Sequence, residues 1–326
     1  MSEMINTAYV AEVLKDRPRE MHKGQAGRVL IVAGSYGMVG AAVLATRGAL
    51  YSGAGLVKVS IPENLSTILQ ISVPEAMCVS NFGYTSYDLE EFDAIAVGPG
   101  LGVSIENYKV IESILMGFDG PVVIDADGLN CLCEYGRVPS KEQTQQGQGT
   151  TAVQVYSSII PDLIKSRKGV TVLTPHPGEA DRLLKAMGQR GIKELGREKA
   201  AEVLATVSGA IVLLKGADTI VCTANGNAYN AEAGETAYDA YINTTGNPGM
   251  ATGGCGDVLT GMTAALLAQG CNFMQATPIE CVNAAAYLHG LAGDFAAEII
   301  GEYGMTSADV ADQISAAIRQ VRGEEE

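Results

Sequence analysis

The stretch "GRVLIVAGSYGMVGAAVLATRGALYSGAGLVKVSIP", residues 27–62, contains one complete strand–helix–strand unit. The apolar run at 27–34 predicts a buried strand, residues 40–55 predict a helix that closes on glycines, and 56–62 predict the next strand. This length is typical of a βαβ unit. The segment therefore predicts two parallel strands joined by a helix.

The same pattern recurs along the rest of the chain. Short apolar strands are predicted within residues 92–102, 120–130, 169–180 and 209–226, and helices are predicted at 7–16 and 105–116. Strands that alternate with helices indicate an α/β fold with a mostly parallel central sheet flanked by helices on both faces. We expect one domain over residues 1–326, with the polar, Gln-rich segment 141–154 as a surface insertion.

Composition and charge exclude several classes of function. The chain has 22 Lys and Arg residues against 37 Asp and Glu, a net charge of −15, which argues against nucleic-acid binding. It has no Trp and only five Phe, so an aromatic platform for single strands is also not expected.

The N-terminus, the apolar runs and the cysteines bear on the compartment. Residues 1–20 lack the apolar stretch of a signal peptide, and no apolar run is long enough to span a membrane. The seven cysteines include no CxxC pair, so we expect free thiols in a reducing compartment and neither a zinc site nor disulfides. The sequence predicts a cytoplasmic protein.

Five loops follow predicted strands and are expected to meet at one edge of the sheet. In parallel α/β sheets, functional loops gather at the carboxyl ends of the strands. The loops are residues 34–40, 98–102, 125–130, 174–179 and 215–218. Their convergence is more informative than any single loop, because GxxGxxG at 34–40 and "GPGLG" at 98–102 are weak signals alone.

The stretch "TTGNPGMATGGCGDVLTG", residues 244–261, holds six glycines and a single acid, Asp257. The apolar spacing after Gly256 predicts a helix, so the glycines lead into a helix N-terminus, which favours an anion. We interpret Gly253, Gly254, Cys255 and Gly256 as a phosphate cradle and Asp257 as a general base toward a substrate hydroxyl. The alternative is a glycine turn with an acid that only favours the start of the helix.

Two further loops offer polar groups whose roles stay open. Asp125, Asp127 and Asn130 are candidates to assist Mg²⁺ or hold a hydroxyl, and turn or cap chemistry explains them equally well. Lys215 follows a strand directly and is a candidate phosphate contact, with a solvated lysine as the alternative.

The loop "TPHPGE" offers an imidazole and a carboxylate. His176 lies between two prolines, which indicates that a rigid loop presents its ring to a ligand, although a lone histidine is usually structural. Glu179 is placed either to reach phosphate-bound Mg²⁺ through water or to cap the helix that follows.

Taken together, these loops resemble the ATP- or ADP-dependent NAD(P)H-hydrate dehydratases of the ribokinase-like superfamily. The matching stretches run in family order over residues 22–294: "HKGQAGRVLIVAGSYGMVGAAVLATRGALYSGAGLVKV", "GPGLG", "VIDADGLN", "LTPHPGEA", "LLKGADTIV", "GNPGMATGGCGDVLTGMTAALLAQG" and "NAAAYLHGLAGD". The resemblance implies a three-layer ribokinase-like fold. It also implies repair of the 6-hydroxy hydrates of NADH and NADPH, by phosphorylation of the hydroxyl with ATP or ADP and elimination of phosphate.

The resemblance also implies roles for single residues, with Mg²⁺ bound to the phosphates. Asp257 would be the catalytic base, supported by the glycines of the cradle. The nucleotide would contact Lys215, Gly216, Ala217, Asp218 and Gly256. The hydrated cofactor would contact Ala41, Ala42, Gly100, His176 and Asp257, and Glu179 and Asp127 are the candidate metal residues.

This sequence departs from the family pattern in two respects, and two alternative functions stay open. Cys255 replaces the Thr or Ser common in the family, which removes a hydroxyl but keeps the backbone N–H. No N-terminal epimerase domain is recognised, so an epimerase is expected on a separate chain, and relatives suggest a tetramer or larger homo-oligomer. A ribokinase-like kinase of a thiazole or pyrimidine alcohol is the nearest alternative, and a catalytically idle nucleotide-binding subunit is a second.

Overall fold

The computed structural model describes residues 2–80, 89–139, 156–230 and 235–324, and these contain the parallel sheet that the sequence predicts. The strands are β1 (Glu3–Met4), β2 (Arg28–Val32), β3 (Leu56–Ile61), β4 (Met77–Ser80), β5 (Ala94–Val97), β6 (Val122–Ile124), β7 (Arg137–Pro139), β8 (Tyr156–Ser158), β9 (Thr171–Leu173), β10 (Ile211–Leu214), β11 (Thr219–Asn230) and β12 (Glu235–Asn243).

Ten of these strands form one sheet in the order β1-β12-β11-β10-β9-β6-β5-β2-β3-β4, and β7 pairs with β8 separately. Every neighbouring pair from β10 through β9, β6, β5, β2 and β3 to β4 is parallel. The strand β11 is antiparallel to both of its neighbours, β10 and β12, while the short β1 pairs parallel with β12 at the far edge. The carboxyl ends of the parallel strands therefore share one edge, as expected.

Helices cover both faces of the sheet and produce the expected three layers. They are α1 (Thr7–Val13), α2 (Val39–Tyr51), α3 (Ser66–Ser72), α4 (Ile105–Gly117), α5 (Asp127–Tyr135), α6 (Ile160–Lys165), α7 (Pro177–Ala186), α8 (Ile192–Leu195), α9 (Arg197–Ser208), α10 (Cys255–Gln269), α11 (Pro278–Ile300), α12 (Ser307–Asp312) and α13 (Ile314–Arg322). One layer contains α1–α3 and α10–α13, and the other contains α4–α7 and α9.

The continuous apolar runs of the central strands follow from this double burial. In β2, Val29 and Ile31 pack into the core beneath α2 and α10, while Leu30 and Val32 pack into the core beneath α4 and α5. All four are fully buried, so β2 contributes side chains to both cores.

The helices α2 and α10 cross at two glycines. A Cβ on Gly48 would lie 2.2 Å from the Val258 carbonyl oxygen, and one on Gly261 would lie 1.8 Å from the Ala45 carbonyl oxygen. Such distances leave no room for a side chain, so both glycines are required for the helices to approach. This contact fixes α10, whose first turn carries Asp257, against α2.

The structure differs from the sequence predictions at the N-terminal helix and at residues 209–226. The N-terminal helix ends at Val13 rather than at residue 16. The expectation that residues 209–226 continue the strand-then-helix pattern is wrong, because β10 turns directly into the antiparallel β11. Gly216 and Asp218, whose backbone is in the left-handed region (φ +53°), close this tight turn. The predicted insertion at 141–154 lies outside the described residues.

Within the described residues, no helix combines the length and the apolar character needed to cross a membrane. Their cysteines are all free, and most of them are buried.

Candidate active site

The glycine-rich stretch at 244–256 leads into α10. Two of its glycines occupy their positions for different structural reasons. Gly254, the residue before the helix, has φ +100°, and a Cβ there would lie 2.4 Å from Leu44 and 2.5 Å from the Ser307 hydroxyl. Gly253 is exposed and has no atom within 4 Å of the position that its Cβ would take. Packing therefore requires Gly254, whereas Gly253 leaves open space in front of the helix N-terminus.

Asp257 lies in the first turn of α10. Burial raises the pKa of its carboxyl to about 7, and the Asp125 carboxylate adds to the shift while Lys215 opposes it. A carboxylate with this pKa is present in both protonation states near neutral pH, which is the range that suits a general base.

Lys215 is held by an ion pair, which the sequence did not predict. Its Nζ lies 2.6 Å from Asp125 Oδ1 and 3.8 Å from Glu179 Oε2. Burial alone would lower the pKa of Lys215, but the two carboxylates outweigh burial and raise it. The alternative of a solvated lysine is therefore wrong, because the side chain is mostly buried and paired.

The same ammonium faces the cradle. A Cβ on Gly256 would lie 3.2 Å from Lys215 Nζ and 3.7 Å from Asp125 Oδ2. The loop after β10 and the first turn of α10 thus converge on one place, as the sequence predicts.

His176 and Glu179 form the N-terminal cap of α7. His176 Nδ1 accepts a hydrogen bond from the Gly178 N–H, at 3.0 Å, and Glu179 accepts one from the His176 N–H, at 2.8 Å. This reciprocal arrangement is a capping box, one of the two roles considered for Glu179. The imidazole remains half exposed, so a ligand can still reach it.

Arg197 holds the hairpin turn at 215–218 by hydrogen bonds. The sequence alone did not point to this residue. Its guanidinium donates to the Ala217 carbonyl and, at 3.1 Å, to the Asp218 carbonyl. A Cβ on Gly216 (φ +142°) would lie 2.9 Å from this guanidinium. Arg197 starts α9 and lies far away in the sequence, so no local pattern indicated the contact.

Gly100, in the loop after β5, lies next to Ala41, in the first turn of α2. Gly100 has φ +57°, and a Cβ there would come within 2.9 Å of both Ala41 and Met38. Ala42 is fully enclosed in the core, with no exposed surface, whereas Ala41 is 9% exposed. The side chain of Ala42 packs in the core, so only Ala41 of the two has exposed surface, and the ligand contact at Ala42 stays a prediction.

A cavity of about 690 Å³ opens beside the cradle. It is lined by the predicted residues His176, Lys215, Gly216, Ala217, Asp218, Cys255 and Gly256, and also by residues 243–248 and by His289 and Gly290 of α11. A cavity of this volume suits a small-molecule ligand. Gly100, in the loop after β5, and Ala41, in the first turn of α2, are not part of its lining.

Asp294 on α11 anchors the loop on one side of this cavity. Its Oδ2 accepts from the Gly246 N–H at 2.9 Å, and its Oδ1 accepts from Asn247 Nδ2 at 3.0 Å. Gly290, one turn earlier, lets Thr245 pack against the helix, because a Cβ there would lie 2.2 Å from the Thr245 hydroxyl. These contacts explain why "HGLAGD" accompanies the glycine-rich stretch, a link that the sequence left without a role.

The described residues contain no cluster of three or more potential metal-binding side chains. Asp127 Oδ2 accepts from the Gly102 N–H at 2.8 Å, and Glu179 is occupied by its cap. Asp127 therefore joins the 98–102 loop to the acidic group around Asp257. Mg²⁺ typically binds through one or two carboxylates together with substrate phosphates, so this sparse donor set suits a cation that arrives with a nucleotide.

Comparisons with known proteins agree with this arrangement. The family model of NAD(P)H-hydrate dehydratase matches residues 29–146 and 156–316. The chain is 36% identical over 99% of its length to a bifunctional NAD(P)H-hydrate repair enzyme of Moorella thermoacetica, covering 55% of that protein, and 33% identical over 95% of its length to one of Thermofilum pendens, covering 53%. The chain thus spans about half the length of the curated relatives it matches.

Solved structures confirm the ribokinase-like fold. An ADP/ATP-dependent NAD(P)H-hydrate dehydratase from Bacillus subtilis, co-crystallised with ATP and Mg²⁺, superposes with a TM-score of 0.75 at 27% identity, over 98% of this chain and 99% of that one. A ribokinase-like superfamily protein from Enterococcus faecalis gives a TM-score of 0.73 at 25% identity, over 98% and 96%.

Proposed function

Because the chain belongs to the NAD(P)H-hydrate dehydratase family, we propose that it restores NADH and NADPH from their 6-hydroxy hydrates with ADP or ATP as phosphoryl donor. The observation that carries the proposal is the placement of Asp257. It is a half-buried carboxylate with a pKa raised to about 7, in the first turn of a helix whose N-terminus faces open space at Gly253.

The first step uses Asp257 and the cradle. Asp257 takes the proton of the substrate hydroxyl, whose oxygen attacks the terminal phosphorus of the nucleotide and forms a C–O–P bond as the P–O bond to the leaving nucleotide breaks. The N–H groups at the start of α10 donate to the phosphoryl oxygens, and the helix dipole favours their negative charge.

The second step releases phosphate. The C–O bond to the phosphoryl oxygen breaks, a proton leaves the neighbouring ring carbon, and the electron pair of that C–H bond forms the ring double bond of the reduced nicotinamide. Phosphate is a far better leaving group than hydroxide. This explains why a dehydration uses a phosphoryl donor.

The nucleotide lies in the cavity beside the cradle, with its phosphates at Lys215 and Gly256 and its nucleoside toward Gly216, Ala217 and Asp218. The hydrated cofactor approaches Asp257 from the side of Ala41, Gly100 and His176. Mg²⁺ would be held by the nucleotide phosphates, with Glu179 and Asp127 as the candidate protein groups, and it would neutralise phosphate charge. The epimerase partner, the homo-oligomer and the cytoplasmic location stay predictions.

Phosphate accounting tests the proposal and separates it from phosphorylation of a small alcohol. Purified protein is mixed with NADH hydrate, Mg²⁺ and ATP or ADP, and both inorganic phosphate and reduced nicotinamide are measured. The proposal requires one phosphate released for each nicotinamide restored. A stable phosphate ester with no return of nicotinamide would instead identify a kinase.

A further inference from the structure

Asp125 is the most deeply enclosed carboxylate near the cradle. The residue is 1% exposed and directly follows β6. Its Oδ1 lies 2.6 Å from Lys215 Nζ, and its Oδ2 accepts from the Thr260 hydroxyl at 2.7 Å. Both carboxylate oxygens are therefore engaged by protein groups.

The two partners of Asp125 come from the two halves of the candidate site. Lys215 belongs to the loop on the cavity side, whereas Thr260 is one turn after Gly256 on α10, where its hydroxyl also lies 3.0 Å from the Gly256 carbonyl. A Cβ on Gly256 would lie 3.2 Å from Lys215 Nζ. Asp125 therefore links the lysine to the helix of the cradle and sets where the ammonium lies.

The charges around Asp257 come from several elements. The carboxylates are Asp125 after β6, Asp127 on α5 and Glu179 on α7, and the cation is Lys215 after β10. His289 on α11, which also lies near Lys215, has its pKa lowered to about 4 by burial and is neutral near pH 7. Asp125 exerts the largest effect of these charged neighbours on Asp257, and Lys215 acts in the opposite direction.

We propose that Asp125 is a positioning residue that holds the Lys215 ammonium at Gly256, ready for the terminal phosphate, and that its negative charge, held beside the first turn of α10, acts on the Asp257 carboxylate in that turn. The proposal rests on the proposed function only for the identity of the phosphate donor. Asp125 itself touches neither substrate nor nucleotide. It acts through Lys215 and through its field at Asp257.

A charge cycle tests the proposal without turnover. Carbon-13 NMR of the aspartate side chains, with Asp257 assigned by its loss in D257N, gives the titration midpoint of Asp257 in the wild type, D125N, K215Q and the D125N/K215Q double variant. We expect the midpoint to move to lower pH in D125N, because a repelling charge is lost. We expect the Asp257 midpoint to move to higher pH in K215Q, and to lie at lower pH in the double variant than in K215Q.

The double variant also keeps the test informative if D125N does not fold. D125N leaves a buried lysine without its counter-ion and K215Q leaves a buried carboxylate without its counter-ion, and both changes are destabilising, whereas the double variant leaves no unpaired charge. The comparison of K215Q with the double variant isolates the charge of Asp125 even if D125N does not fold. An equal Asp257 midpoint in these folded proteins would overturn the role of Asp125 at Asp257.

Calorimetric titration with Mg·ADP and Mg·ATP tests the other half of the proposal. We expect D125N to bind the nucleotide about tenfold more weakly, an effect of the size seen for charge-assisted contacts. T260V, which keeps the charge and loses one hydrogen bond, is expected to lose much less and to keep the wild-type midpoint. Equal affinity in the wild type and D125N would overturn the positioning of Lys215. If the hydrate is not converted, only the proposed function fails, since neither readout involves turnover.

Discussion

The ammonium of Lys215 lies 2.6 Å from the Asp125 carboxylate, between the loop that follows β10 and the first turn of α10. The cation predicted to meet a phosphate thus already has a partner in the protein alone. A buried lysine without an acid would be costly, so the pair keeps the ammonium charged until a nucleotide arrives. The following predictions test the site around this pair.

The pH dependence of turnover is expected to report Asp257. Its pKa is raised to about 7, and the base must be deprotonated, so kcat/KM falls as pH is lowered through about 7. Measurement of kcat/KM across the neutral range checks this. An acid limb near pH 4, the ordinary range of an aspartate, would contradict the assignment.

Stability is expected to follow the opposite trend at the same residue. The folded state holds the proton on Asp257 up to about pH 7, whereas the unfolded chain loses it near pH 4. Asp257 therefore lowers the free energy of unfolding as pH rises between these values. Asp257→Asn is expected to raise Tm at pH 8 relative to wild type, while the exposed control Asp312→Asn leaves Tm unchanged. A lower Tm for Asp257→Asn would contradict the burial of this charge.

Two glycines near each other in sequence are expected to respond differently to alanine. Gly261→Ala places a Cβ 1.8 Å from the Ala45 carbonyl oxygen, so we expect a loss of about 2 to 4 kcal/mol in the free energy of unfolding. Gly253→Ala meets no protein atom within 4 Å, so it should keep the wild-type Tm but weaken nucleotide binding, because the methyl group occupies the phosphate approach. Denaturant unfolding and calorimetry check the pair. Equal nucleotide affinity in Gly253→Ala would remove this glycine from the cradle.

Asp294 is expected to act on nucleotide affinity through the loop at 244–252. Its two hydrogen bonds to Gly246 and Asn247 fix one wall of the cavity, so Asp294→Ala should raise the KM for the nucleotide about tenfold with a smaller change in kcat. Glu298→Gln, an exposed change one turn further along α11, is the matched control. A change in kcat alone would show that the loop does not shape the nucleotide site.

Much of this arrangement was predictable because it depends on local patterns. The apolar runs at β2, β5 and β6 predict parallel strands, and parallel strands bring their following loops to one edge. The glycines before α10 predict a helix N-terminus, and Asp257 follows directly. These features reflect short-range sequence and the rules of parallel sheets.

The features that the sequence did not predict depend on contacts between distant parts of the chain. Arg197 donates hydrogen bonds to the 215–218 turn, about twenty residues later in the chain. Asp125 accepts a hydrogen bond from Thr260, which lies 135 residues later. The direct turn from β10 into β11 was missed because its apolar strand looks the same whether a helix or a hairpin follows. For a related reason, sequence does not tell which of two adjacent alanines in a helix, Ala41 or Ala42, is the more exposed.

The most direct test of the central claim is the return of absorbance at the reduced-nicotinamide band, with NADH hydrate, Mg²⁺ and ATP or ADP, in wild type and Asp257→Asn side by side. The account predicts recovery that requires a nucleotide and falls about 10²- to 10⁴-fold in Asp257→Asn, the usual contribution of a general base, while nucleotide binding persists. No recovery with either nucleotide from folded wild-type protein, or equal recovery in Asp257→Asn, would contradict it.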